Sequence, residues 1–317
     1  MLFSQLLGRA SNAPSLASAG KLSVAETRLN ARLGKRTPVA NKGLKMKTRH
    51  LASLASLALL GAIVAPSVLY AAAAPPIGGG YTNVIAIPVN DPSVKEIAGA
   101  LFKPEGAGPF PAVVYMSGCN GLDFPPEAKQ EKRVIESLTS KGIAVLIVDP
   151  FTARGEKDGA CDKLNVEGFT RGGNDAVAAL RVVKAMPDIN PNKVFLQGYS
   201  SGAIASLYAT DLKTPGTHDT KVAGLILYYP YCYDNVDPAV PTLVLIGEKD
   251  DWTPAAACQA VTGKTSFDLV IYPGATHGFT EPFDKPFDVD GHHLAHDEAA
   301  TKDAQQRAEA FIAAHLK

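Results

Sequence analysis

"KVFLQGYSSGAIASLYATDL", residues 193–212, joins an apolar, strand-like run to a helix-like one through a pair of serines flanked by glycines. The apolar run Val194-Phe195-Leu196 gives way at Gly198-Tyr199-Ser200-Ser201-Gly202 to a helical stretch. That pentapeptide fits G-x-S-x-G, in which a strand turns sharply into a helix and holds a serine in a strained, exposed position. Glycines are needed at both ends because side chains there collide as the backbone doubles back. The same residues also fit an ordinary Ser/Gly turn, so the surroundings must choose.

Working outward, strand-like and helix-like segments alternate. "NVIAIPV" (83–89) and "KEIAGALFKP" (95–104) read as two opening strands forming a hairpin. "FPAVVYMSG" (110–118) and "IAVLIVD" (143–149) are nearly continuous apolar runs, as expected of strands buried on both faces of a sheet. Between them, "PEAKQEKRVIESLTSKG" (126–142) has helical spacing, with Val134, Ile135 and Leu138 on one stripe and Gly142 as the stop. A long helix, "EGFTRGGNDAVAALRVVKAMPD" (167–188), is separated from the elbow strand by "INPN". After the elbow come the strands "VAGLILYYP" (222–230) and "PTLVLIGE" (241–248), a helix from Pro254, the strand "FDLVIYP" (267–273) and a terminal helix over Glu298–His315. Repeated units of this kind predict an α/β fold, a mainly parallel sheet flanked by helices on both faces. No Pro/Gly/Ser linker divides it, so one domain over residues 75–317 is expected.

Ligands of an open parallel sheet sit beyond the carboxyl ends of the strands. Ser200 follows "KVFLQGY", Asp250 and Asp251 follow "PTLVLIGE", and His277 follows "FDLVIYP". The order Ser…Asp…His is that of the α/β-hydrolase fold. The chemistry asks for these types. A serine hydroxyl is a poor nucleophile without a base in hydrogen-bond reach. Imidazole titrates near neutrality, so His277 is suited to take the Ser200 proton and return it to the leaving group. A carboxylate fixes the ring's tautomer and stabilises the imidazolium. A tetrahedral intermediate also needs two backbone N–H donors. One is expected from Ser201, and the other from the loop "SGCNGLD" (117–123), where Gly118 and Gly121 let backbone approach a substrate closely.

Charge is unevenly spread. The chain has 31 basic and 31 acidic residues, but residues 1–74 hold ten Lys/Arg and one acid, Glu26, so the remainder carries a net charge of −9. An acidic body argues against a nucleic-acid partner. "MKTRHLASLASLALLGAIVAPSVLYAAAAPP" runs from Lys47 and Arg49 through an apolar stretch to small residues at Ala71–Ala74, the order of a secretory signal peptide. The expectation is a signal peptide over 46–74, a non-structural extension over 1–45, and an exported, periplasmic or secreted product without stable membrane association. An uncleaved membrane anchor and an organellar transit peptide are the competing readings.

Six segments together, "SGCNGLD", "DPFTARGEKDGACD" (149–162), "GYSSGA", "YYPYC" (228–232), "GEKDDWTPAAAC" (247–258) and "YPGATHGF" (272–279), resemble the dienelactone hydrolase-like family of α/β-hydrolases. The resemblance implies that the acid is Asp250, at the end of the G-x-x-D step, that the histidine is His277, and that Cys119 supplies the first oxyanion N–H. It also implies no cofactor and a small-molecule ester substrate. The best-known members have a cysteine nucleophile and a glutamate in the oxyanion loop, where this chain has Ser200 and Gly118. Related members read His-Gly-Cys in the loop, where this chain reads Ser117-Gly118-Cys119. A general serine esterase is therefore the expectation. Its rivals are an inactive hydrolase-fold binding protein and a peptidase or other acyl-transfer enzyme.

Four cysteines allow three pairings, and sequence alone does not choose. Cys232 and Cys258 follow neighbouring strands, and the family resemblance suggests that they pair. Cys119 and Cys161, both near the site rim, are candidates for a second pair, and four free buried thiols are the alternative. No C-x-x-C or finger spacing is present, and "HHLAH" (292–296) lacks the H-E-x-x-H glutamate, so no metal site is expected. Arg154 and Arg171 are candidates for an anionic substrate group against the ordinary reading of solvated arginines, and Trp252 and Phe279 for walls of an acyl pocket against ordinary packing.

Overall fold

In the computed structural model the described residues are 74–211, 221–234, 236–238, 240–262 and 267–316, all in the unit Ala72–Lys317. The extension 1–45 and the signal segment up to residue 73 lie outside them. The apolar runs become strands β1 (Val84–Pro88), β2 (Glu96–Phe102), β3 (Phe110–Met116), β4 (Ala144–Asp149), β5 (Ile189–Tyr199), β6 (Gly224–Tyr228), β7 (Thr242–Gly247) and β8 (Phe267–Tyr272). They form one eight-stranded sheet in the order β1-β2-β4-β3-β5-β6-β7-β8. The first two pairings, β1 with β2 and β2 with β4, are antiparallel, and all the others are parallel.

Every residue of β4, β6 and β7 is buried, which is why their sequences are apolar without alternation. Helices α1 (Pro125–Ser140), α2 (Val166–Lys184), α3 (Ser201–Thr210), α4 (Ala255–Thr262) and α5 (Glu298–His315) follow β3, β4, β5, β7 and the end of the sheet region. The chain steps from β3 outward to β4, then returns past β3 to β5 and continues the other way. The sheet therefore has its topological switch point at the carboxyl ends of β3 and β5, where a crevice opens for ligands. Helices α2 and α3 close tightly there, since a Cβ on Gly172 would lie 2.9 Å from the Ala205 side chain and one on Gly173 2.9 Å from that of Tyr208.

Two local features differ from the sequence reading. "INPN" is not a break but the start of β5. The pairing with β3 jumps from Phe110↔Ile189 to Ala112↔Val194, a bulge that absorbs Pro191, which has no N–H for the ladder. The stretch holding "DVDG" (288–291) and "HHLAH", between the strand at 267–273 and the terminal helix, has no element in the sequence reading. It carries a small antiparallel hairpin, β9 (Phe287–Val289) and β10 (His292–Leu294), whose Leu294 bridges to His277. Three-residue strands, half of whose residues are polar, carry no detectable alternation.

Candidate active site

The elbow is built by close approach. A Cβ on Gly198 would lie 2.4 Å from the Gly202 carbonyl oxygen, and one on Gly202 would lie 2.3 Å from the carbonyl oxygens of Met116 and Ser117. Side-chain-free positions let β5, α3 and the end of β3 share this space. Ser200 sits between them at φ 50°, ψ −118°, a conformation costing about 1–3 kcal/mol for a non-glycine residue. Its N–H is anchored to the Tyr228 carbonyl at 3.0 Å.

Ser200 Oγ lies 2.9 Å from His277 Nε2, and His277 Nδ1 lies 2.9 Å from Asp250 Oδ2. With Nδ1–H donated to a carboxylate, Nε2 is left as an acceptor facing the serine hydroxyl. Asp250 is itself held. Its Oδ1 accepts the backbone N–H groups of Trp252 (3.1 Å) and Thr253 (2.7 Å), and Thr253 Oγ1 lies 2.9 Å from Oδ2. The loops bearing Asp250 and His277 meet because Gly247 is bare, since a Cβ there would be 2.3 Å from the Ala275 carbonyl oxygen. Asp251, the other acid of the step, points away and pairs with His292 at 3.1 Å. Ser201 is the first residue of α3, where backbone N–H groups lack intrahelical partners. Ser201 and Cys119 line one narrow cleft, together with Met116, Phe151, Leu164 and Phe169.

Disulfides join Cys119 to Cys161 and Cys232 to Cys258, and no free cysteine remains. The first ties the loop after β3 to the segment following β4. Trp252 stands beside His277, ring centroids 5.3 Å apart, and stacks on His292 at 4.7 Å. Phe279 is wholly buried between Tyr229 and Tyr272, so it packs the core rather than walling a pocket. Arg154 is closed off in a buried ion network with Asp175 and Asp91, both at 2.8 Å. Arg171 pairs with Glu156 at 2.8 Å. His292, His293 and His296 face three different acids, Asp251, Asp288 and Glu298. Among the described residues no group of three or more His, Cys, Asp or Glu is arranged to hold a metal.

A set of buried acids escaped the sequence reading. Glu127 and Glu131 on α1, and Glu281 after β8, are each buried and each has one carboxyl oxygen without a hydrogen-bond partner. Burial pushes the Glu127 carboxyl up to about 7, against the Tyr115 hydroxyl bonded to it and the nearby Gly118 N–H and Gln130 amide, which favour the charged form. Burial, with the neighbouring Glu127 charge, pushes Glu131 and Glu281 well above the usual carboxylate range. The signal was present: the stripe Leu138–Val134 continues backward at helical spacing onto Glu131 and Glu127.

Among known proteins, the chain is 31% identical over 137 residues to esterase EstD of Thermotoga maritima, a match covering 39% of this chain and 29% of that protein's length. It is 25% identical over 202 residues to a "probable 2-oxo-3-(5-oxofuran-2-ylidene)propanoate lactonase" of a Bradyrhizobium species, covering 58% of this chain and 79% of the other. The propionate-bound esterase Est2 of Thermogutta terrifontis superposes with a TM-score of 0.55 at 17% identity, over 74% of this chain and 95% of Est2, a likeness of fold. Residues 97–316 match the sequence model of the dienelactone hydrolase family. Because that span runs from β2 to the end of α5 and includes both the elbow and the loops that meet it, the protein belongs to the dienelactone hydrolase family.

Proposed function

We propose that the protein is a carboxylic ester hydrolase acting through an acyl-enzyme on Ser200. The observation that carries this reading is the hydrogen-bonded line from Ser200 Oγ to His277 Nε2 and from His277 Nδ1 to Asp250 Oδ2, both links 2.9 Å. In the first half-reaction Ser200 Oγ attacks the ester carbonyl carbon while its proton passes to His277 Nε2. Asp250, fixed by two backbone donors, stabilises the resulting imidazolium. The carbonyl oxygen gains the negative charge and is received by the N–H groups of Cys119 and Ser201. Collapse expels the alcohol with the proton from His277, and water repeats the sequence in reverse to free the acid.

The family and its esterase relatives support esters as substrates, and the Bradyrhizobium relative makes lactones the first cyclic esters to try. Two disulfides are the chemistry of an oxidising compartment and support export. Among the described residues no helix is long and apolar enough to cross a membrane.

The test is a fluorescent fluorophosphonate on the chain from residue 75, with the adduct mapped by mass spectrometry. A single adduct on Ser200, absent in Ser200→Ala and slowed by orders of magnitude in His277→Ala, is the expected result. Folded protein that takes no label and cleaves no ester would overturn the reading in favour of a binding protein.

A further inference from the structure

The carboxyl group of Glu127 stands directly behind the oxyanion loop. Its Oε1 accepts a hydrogen bond from Tyr115 Oη at 2.7 Å. Its Oε2 has no partner and lies 3.5 Å from where a Cβ on Gly118 would stand, a point 3.9 Å from Ser200 Cβ. Bare Gly118 thus leaves the space between loop and nucleophile to a carboxyl group delivered from α1.

Glu127 also ends a chain of hydrogen bonds whose directions are determined. Gln130 Nε2 donates to Tyr115 Oη at 3.0 Å, so the single Tyr115 proton is free for Glu127. Thr280 Oγ1 donates to Gln130 Oε1, which leaves Tyr229 Oη to donate to Thr280 at 2.8 Å. The Tyr229 ring packs against His277, centroids 4.9 Å apart. Every proton in the chain therefore points toward Glu127 Oε1, and a proton on the acid must reside on Oε2, facing the loop.

The groups around Glu127 offer it no counter-charge. Tyr115 faces it from β3, Tyr199 from β5, Tyr229 from the end of β6, and Tyr81 from the N-terminal segment. Glu131 faces it from its own helix and Glu281 from the loop after β8, with Asp149 and Asp123 behind Glu131. Among the described residues no lysine or arginine is hydrogen-bonded or ion-paired to Glu127, Glu131 or Glu281.

We infer that Glu127 is a positioning residue of the oxyanion loop that works only as the uncharged acid. Neutral, it fills the space behind Gly118 and holds the loop against Ser200 without a field opposing the charge that grows on the substrate oxygen. Ionised, it places a negative charge beside that oxygen in a site of low dielectric and draws the Gly118 N–H toward Oε2, one residue from the Cys119 donor. The inference rests on the Ser200 reading above.

The experiment is a pH profile from 5 to 9 of kcat/KM for a short-chain ethyl ester by pH-stat, with the fluorophosphonate labelling rate as a second readout. In the wild type both are expected to fall above about pH 7, by about tenfold for one further pH unit, as a single ionisation. Glu127→Gln should stay within about fivefold of wild type at pH 6.5 and hold its plateau to pH 9. Tyr115→Phe removes a hydrogen bond that favours the carboxylate, so its fall should move to higher pH. This variant keeps the test open if Glu127→Gln does not fold. A wild-type profile level to pH 9, a fall unchanged in Glu127→Gln, a fall unmoved in Tyr115→Phe, or a loss of equal factor at every pH would overturn the inference. Ester turnover that survives Ser200→Ala would instead overturn the underlying reading.

Discussion

Asp250→Asn is the sharpest test of the relay, because the structure dictates how the amide must sit. Two backbone N–H groups, from Trp252 at 3.1 Å and Thr253 at 2.7 Å, converge on Oδ1. Turning the amide nitrogen toward them would leave two donors facing a donor in a buried site, at about 1–3 kcal/mol each. The carboxamide oxygen therefore stays at the Oδ1 position and the NH₂ group takes that of Oδ2, 2.9 Å from His277 Nδ1. Nδ1 must then accept, the ring proton moves to Nε2, and the face toward Ser200 becomes a donor. The imidazole no longer takes the serine proton. A wrong tautomer of this kind costs about 10⁴ in kcat, or about 5.5 kcal/mol of barrier. Stability should change little, since Thr253 Oγ1 is placed to accept from the new NH₂ while donating to the Tyr229 carbonyl at 3.0 Å. The assay is ester kcat/KM with a thermal melt, and Asp251→Asn as the neighbour control, expected within a few-fold of wild type. An Asp250→Asn enzyme within tenfold of wild type, with an unchanged melt, would show that Asp250 does not set the His277 tautomer.

Ser200→Gly should abolish turnover yet raise stability by roughly 1 kcal/mol, because glycine accepts φ 50° without strain; calorimetry should show a melting point higher by a few degrees. Arg154→Ala should destabilise by about 3 kcal/mol or more, since Asp175 would lose its counter-charge in a site where both partners are now only 2% exposed, whereas Arg171→Ala, at 29% exposure, should cost under about 1 kcal/mol in urea unfolding. Folding stability should fall as pH rises from about 4.5 toward 7, because Glu127 binds its proton more tightly folded than unfolded, and Glu131 and Glu281 act in the same direction. Glu281→Gln should accordingly raise the melting point more at pH 8 than at pH 5.

The alternation of apolar runs and helical spacing, and the glycines about Ser200, were legible because strand burial and close backbone approach each demand a residue type at a position. The runs at 143–149, 222–230 and 241–248 could hardly be anything but strands covered on both faces. Pro191 misled, because a bulge accommodates a proline that a regular ladder cannot, and nothing local announces the bulge. The β9–β10 hairpin was illegible for a different reason. Strands of three residues, half of them polar, have too little period to detect, and the hairpin lies where Leu294 bridges to His277 across the fold.

Residue pattern is enough to set the kind of sheet, the order of its elements and which chemically capable residues stand at the strand ends. Residue type and position left Asp250 and Asp251 both open, and the family resemblance pointed to Asp250; the tertiary structure supplies the physical reason, since Asp250 faces inward onto backbone donors beside His277 and Asp251 outward onto His292. It also decided that Arg154 and Phe279 are spent on packing, and that Glu127 and Glu131 lie on the inner stripe of α1 rather than in water. A side chain's type limits what it is able to do. Its burial and partners, set by residues far away in the chain, determine which charge it carries and what it faces.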